Sequence, residues 1–252
     1  MIGAEGLHQV GSSIAVIRML YELGVRYITI THNENNAFAT CATHVTRGGK
    51  DLGLTKLGVA GIREMNRIGM MVDLSHVSVK TMEDTLDCAR APVIFSHSGA
   101  RGVSDHPRNV PDHILHRVRD NRGIVMVPFV KLFLKVTDPY SATVEDIVDH
   151  IYHIANLAGW DHVGIGADYD GTSPLPDRSL NLPRGMTDVS SYPVLIAAVC
   201  ARGATDDQIK KLMGGNILRV WTEIEMKSLM LQKAEEQPCE DVLDERKFGC
   251  SN

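Results

Sequence analysis

Apolar and polar positions along the chain alternate between two rhythms. Short apolar or β-branched runs occur at Met1–Ile2, Arg26–Thr31, Met70–Leu74, Val93–Phe95, Gly123–Val127 and Val163–Gly166. They read as the end of one strand followed by five full strands. Between them lie stretches with apolar residues three and four apart: Ile14, Ile17, Leu20 and Leu23; Leu54–Ile68; Val79, Met82 and Leu86; Pro111–Asp120; and Thr143–Ala158. Each predicts an amphipathic helix. Tyr192–Arg202, Thr205–Met213 and Ile217–Leu231 read as three further helices.

Local signals set the helix boundaries. Ser12-Ser13 supplies a helix start and Gly24 a stop, and Gly69 ends the helix over 54–68. Thr143 with Asp146, and Thr205 with Gln208, have capping-box spacing, and Pro111 is expected to open its helix. Strands regularly separated by helices predict an α/β fold with a parallel sheet. No linker interrupts residues 1–232, so one domain is expected. The charged segment 233–252, with Pro238 and Gly249, reads as a loose, disordered tail.

Composition narrows the class without choosing a chemistry. The chain has 252 residues, 44% hydrophobic and 23% charged, with a net charge of −5 spread along its length. That balance does not point to nucleic acid or an anionic membrane as partner. No apolar run reaches the roughly 18–20 residues of a membrane-spanning helix. The five cysteines (41, 88, 200, 239 and 250) are odd in number and lack CxxC spacing. Free thiols in a reducing, cytoplasmic setting are expected, with Cys88 and Cys200 packed in the core.

The candidate chemistry lies where strands end. Two of the strands run into Ser-His, at Ser75-His76 and Ser96-His97, and a third ends at His32. In parallel α/β folds the C-terminal edge of the sheet collects ligands and catalytic groups. Two imidazoles delivered there from neighbouring strands suggest a metal site or an acid–base pair. The competing reading has each His capping its own strand end. Glu5, framed by Gly3 and Gly6, reads by itself as a surface charge. His44 has no local context, and His113 and His116 read as solvated helix positions. His150 and His153, three apart on one helix, are expected on a polar outer face.

IGAEGLHQVGSS, YITITHNENN, DLSHVS, APVIFSHSGARGVSDHPRNVPD and VGIGADYDG, in this order, resemble the renal (membrane) dipeptidases. The resemblance runs over about residues 1–222. It implies a (β/α)8 barrel of the amidohydrolase type and hydrolysis of dipeptides with zinc, including Cys-Gly from glutathione-derived conjugates. It also implies site roles. Glu5 matches the carboxylate bridging two zinc ions, and His76 and His97 match two His ligands of one of them. His32 matches a substrate-contacting and catalytic His, Arg108 the clamp on the substrate carboxylate, and Asp168 the acid that moves the proton. Asp105 and Asp170 receive no role. A homodimer is a compatible assembly.

The chain departs from the family's pattern in two places. The family's first zinc also uses a His-x-Asp on the first barrel strand, and this sequence contains none. The expected fold is therefore an N-terminally truncated TIM barrel with one metal site incomplete. The alternative function is a catalytically impaired fragment or pseudoenzyme that acts as a binding protein. Phe133 also stands where the family favours a Tyr.

Overall fold

The computed structural model describes residues 1–172 and 181–240. Six parallel strands alternate with helices: β1 (Ile2–Glu5), α1 (Ile14–Glu22), β2 (Val25–Thr29), α2 (Ala42–Thr46), α3 (Lys56–Ile68), β3 (Met71–Asp73), α4 (Val79–Cys88), β4 (Val93–Phe95), α5 (Asp112–Asn121), β5 (Ile124–Val127), α6 (Lys131–Leu134), α7 (Val144–Ala158) and β6 (Val163–Ile165). Helices α8 (Tyr192–Ala201), α9 (Asp206–Lys210) and α10 (Asn216–Lys233) follow. The strands lie side by side in chain order, all parallel, from β1 at one edge to β6 at the other. This is an open arc of a TIM-like barrel, with β1 and β6 unpaired to each other among the described residues.

Strand parity divides the interior in two, because successive side chains leave opposite faces of a strand. Ile28, Val72, Val93, Phe95, Val125, Val127 and Val163 pack outward against Ile14, Ile17, Ile62, Met65, Ile114, Ile151 and Ile154 of the helices. Full burial of such a side chain contributes about 1.5–3 kcal/mol. The intervening residues Met71, Ile94 and Ile124 face the barrel side and meet Val220 and Ile224 of α10. Helix α10 crosses the N-terminal ends of the strands. Its Ser228 hydroxyl donates to the Arg67 carbonyl, Arg219 to those of Arg122 and Asp161, and Asn216 to those of Trp160 and Val163. The opposite, C-terminal edge stays open.

The two expected capping boxes form. Thr143 and Asp146 make a capping box on α7, as do Thr205 and Gln208 on α9. Gly69 ends α3 at φ 88°, a backbone region costly for any other residue. Pro111 sits one position earlier than expected, as the N-cap of α5. The helix expected over 205–213 gives way after Lys210 to a wide turn with Gly214 at φ 149°, which redirects the chain into α10.

Two burial expectations are corrected. Cys200 is exposed, and Cys88 is only partly buried, packed at the margin of the core. His150 is fully buried rather than on an outer face. Its Nδ1 accepts from the Ala100 N–H at 2.8 Å, and its Nε2 donates to the Leu134 carbonyl at 3.1 Å. Two backbone groups from other segments satisfy the imidazole, which a helical period does not reveal. Its neighbour His153 is a partner of Asp112 at 2.8 Å.

Of the segment expected to be loose, 241–252, with Cys250, lies outside the described residues. Before it, the Cys239 N–H donates to the buried Glu64 at 2.9 Å and the Cys239 carbonyl accepts from Arg18 at 3.0 Å. Glu236 pairs with Arg90. No helix among the described residues is long and apolar enough to cross a membrane.

Candidate metal centre

Register places the first acidic row. Glu5 is opposite Thr29, and Thr29 is opposite Asp73, so three polar residues stand abreast at the C-terminal ends of β1, β2 and β3. They share the barrel side, because Ala4, Ile28 and Val72, one residue earlier, go to the helical core. His76 and His97 follow just beyond β3 and β4, and His32 just beyond β2. His76 has a left-handed φ of 68°, which tightens the turn after Ser75.

Glu5, His76 and His97 converge. Glu5 Oε1 lies 2.9 Å from His76 Nε2 and 3.2 Å from His97 Nε2, and the two Nε2 atoms are 3.0 Å apart. The other carboxylate oxygen, Oε2, faces His32 Nε2 at 3.7 Å. Glu5, His32 and His76 also form a group whose ligand atoms all lie within 4.8 Å of one another. Both strand-end imidazoles are largely buried, whereas His32 and Glu5 keep access to the cleft.

The electrostatics fit a cation-binding cluster. The bond from His76 first, and the closeness of His97 next, hold the Glu5 carboxyl far below the usual range, against the opposing effect of burial. Burial, opposed by the bond to Glu5, pushes His76 down to about 3, so its imidazole is neutral at pH 7. Neutral imidazole nitrogens and a carboxylate are the donor forms that zinc and related ions take. For zinc–nitrogen bonds of about 2.0–2.1 Å, the edge of a ligand tetrahedron is about 3.3 Å. The three donor atoms therefore already stand close to the spacing of one face of such a shell. His76 Nδ1 is buried without a hydrogen-bond partner.

Arg108 is the cationic counterpart. It is 8% exposed, and its Nε and Nη2 atoms are buried without partners. Burial pulls its pKa down to about 10, while Asp168, Glu5 and Asp73 act to raise it. The guanidinium lies over the Phe133 ring at 5.0 Å. Phe133 thus supplies an aromatic face to the arginine, and it packs on His106 at 4.7 Å between centroids. Asp168 adopts φ 61° just past β6. Its carboxyl is raised chiefly by burial, against the lowering influence of His97 and Arg108. Asp105, by contrast, pairs with Arg101 at 2.7 Å, and Asp170 is exposed.

Asp73 went unremarked in the sequence, and Ser75 and Ser96 were noted only as the residues before the two histidines. Asp73 is fully buried and accepts from the Ser75 and Ser96 N–H groups at 3.0 and 2.8 Å, and from the Thr29 and Ser96 hydroxyls at 2.6 and 2.5 Å. Ser75 Oγ accepts from the His97 N–H at 3.0 Å, and Ser96 Oγ meets His97 Nδ1 at 2.7 Å. The available signal was the serine that precedes each histidine. A glycine is also required opposite them, since a Cβ at Gly166 would overlap the Ser96 carbonyl.

An open arc of parallel strands thus carries histidines, a carboxylate and a buried arginine together at its C-terminal edge. The membrane dipeptidase family, peptidase family M19, matches residues 1–235, and the chain belongs to that family. Among its relatives are an uncharacterized dipeptidase of Schizosaccharomyces pombe, 50% identical over 98% of this chain and 58% of its own length, and the dipeptidase tcpJ of Claviceps purpurea, 48% identical over 89% of this chain and 51% of its own length. The chain thus spans little more than half the length of these curated relatives. A crystal structure of a metallopeptidase from Rhodobacter sphaeroides, liganded with a phosphinate mimic of the dipeptide L-Ala-D-Ala, superposes with a TM-score of 0.79 at 28% identity. It covers 89% of this chain and 63% of its own.

Proposed function

We propose that the protein is a metal-dependent dipeptidase and that its metal is zinc. The convergence of Glu5, His76 and His97 within 3.2 Å carries this reading. Glu5 Oε1, His76 Nε2 and His97 Nε2 would hold one ion and leave a position open for water or substrate. Glu5 Oε2, turned toward His32, would be the donor available to a second ion. Among residues 1–252 no His-x-Asp stands ready to complete a second shell, so these residues by themselves would hold one ion tightly. When bound, such an ion polarises the scissile carbonyl and makes water a nucleophile near neutral pH.

The remaining residues bind the peptide and move its proton. Arg108 has unpaired donors, and its planar fork suits the free carboxylate of a dipeptide. A clamp at a set distance from the metal selects short peptides, Cys-Gly among them. His32, on the open side of the cleft, contacts the substrate carbonyl as its oxygen gains charge. Asp168, with its raised carboxyl, takes a proton from the attacking water and delivers it to the leaving amine. The test compares a dipeptide with its C-terminal amide, before and after chelation and zinc return. Hydrolysis lost on chelation, restored by zinc and strongly favouring the free acid is expected. Metal-independent hydrolysis, or equal use of the amide, would overturn the reading.

A further inference from the structure

We propose that Asp73, acting through Ser96, fixes the tautomer of His97 so that its Nε2 lone pair points at the metal position. Asp73 and Ser96 are then positioning residues for metal capture. The metal part of this inference rests on the function proposed above.

The argument is a count of protons. Two backbone N–H groups, which can only donate, occupy Asp73 Oδ1. The Thr29 and Ser96 hydroxyls converge on Oδ2 at 2.6 and 2.5 Å. Asp73 is thus an acceptor on every side, and Ser96 gives it its single proton. The competing bond from Ser96 Oγ to Ser75 Oγ is 3.3 Å, too long to take that proton away. Ser96 Oγ has only lone pairs left, and it meets His97 Nδ1 at 2.7 Å. In the neutral ring Nδ1 must therefore carry the proton, which leaves Nε2 bare. That bare nitrogen is the atom 3.2 Å from Glu5 Oε1.

His76 is the internal contrast. It too follows a serine, yet its backbone is left-handed and its Nδ1 has no partner. Of these two rings, His76 is then the one left to donate from Nε2, to Glu5 Oε1 at 2.9 Å. Only one of the two Ser-His pairs is wired to a carboxylate. Carboxylate-oriented imidazoles of this kind tune metal affinity by roughly 10–100-fold.

The test uses the full chain, with Ser96→Ala, Ser96→Thr and Thr29→Val. Thr29→Val removes a hydroxyl donor from the same Asp73 oxygen without touching His97, so it reports any purely structural effect. Long-range proton–nitrogen correlation spectra of the histidine rings read the tautomers in metal-free protein. Competition against a chelator reads zinc affinity. The wild type is expected to show His97 protonated on Nδ1. Ser96→Ala should shift it toward Nε2–H and weaken zinc by about 10–100-fold. Ser96→Thr should restore both, and Thr29→Val should change neither. A wild-type His97 protonated on Nε2 would overturn the proposal, as would a Ser96→Ala protein with unchanged spectrum and affinity, or a Thr29→Val loss equal to that of Ser96→Ala. If the tautomer pattern holds but the wild type binds no zinc, the metal reading fails while the tautomer assignment stands.

Discussion

Arg108 gives the sharpest prediction, because its substitution should move stability and catalysis in opposite directions. Its guanidinium is almost wholly buried, with two nitrogens lacking any partner, and sits over Phe133. A buried polar group left unsatisfied costs about 1–3 kcal/mol, more when charged. Arg108→Met keeps much of the side-chain volume and the contact with Phe133 while removing that cost. The substrate-free protein should therefore gain on the order of 1–3 kcal/mol in stability, read by denaturant unfolding. Losing one partner of a buried, hydrogen-bonded charge pair costs about 2–5 kcal/mol, so kcat/KM for a dipeptide should fall roughly 30- to 5,000-fold. Arg108→Lys keeps the charge without the planar fork and should fall between the two. The C-terminal amide of the same dipeptide should lose far less, since it offers no carboxylate. A variant that is less stable than wild type yet hydrolyses the free acid normally would refute both the unpaired-guanidinium argument and the carboxylate clamp.

Further predictions follow from the same geometry. His76→Ala should lose tightly bound metal and hydrolysis together, measured by elemental analysis and assay on one sample; activity persisting without metal would remove His76 from the site. Asp168→Asn should depress kcat while metal content stays at the wild-type level, and normal turnover would exclude Asp168 from proton transfer. Burial holds His150 at about 4 in the fold, against about 6.5 unfolded, so the unfolded chain takes up the proton first as pH falls. The stability His150 contributes is complete above about pH 6.5 and is lost progressively toward about pH 4, so His150→Gln should flatten that part of a stability–pH curve. An unchanged slope would show that the imidazole is not held neutral.

The chain's own pattern determined the order and kind of the main elements. The 3.6-residue and two-residue periods, together with caps such as Thr143/Asp146 and Thr205/Gln208, are local, so they can be read without neighbours. The strand-end positions of His32, His76 and His97 were legible for the same reason, and family resemblance supplied Glu5, Arg108 and Asp168. Only the tertiary structure decided what these residues meet. Glu5 resembles a surface charge until the β1–β2–β3 register sets it beside two imidazoles from strands more than 65 residues away. His150 looked like an outer-face residue until backbone groups of Ala100 and Leu134 closed around it. Asp73 gave no local signal, because its role is a set of four bonds, three of them to residues on or at the ends of other strands. Helical and strand periods record which face of an element is buried. They carry no record of the partner across the interface, which is where proton placement and metal geometry are set.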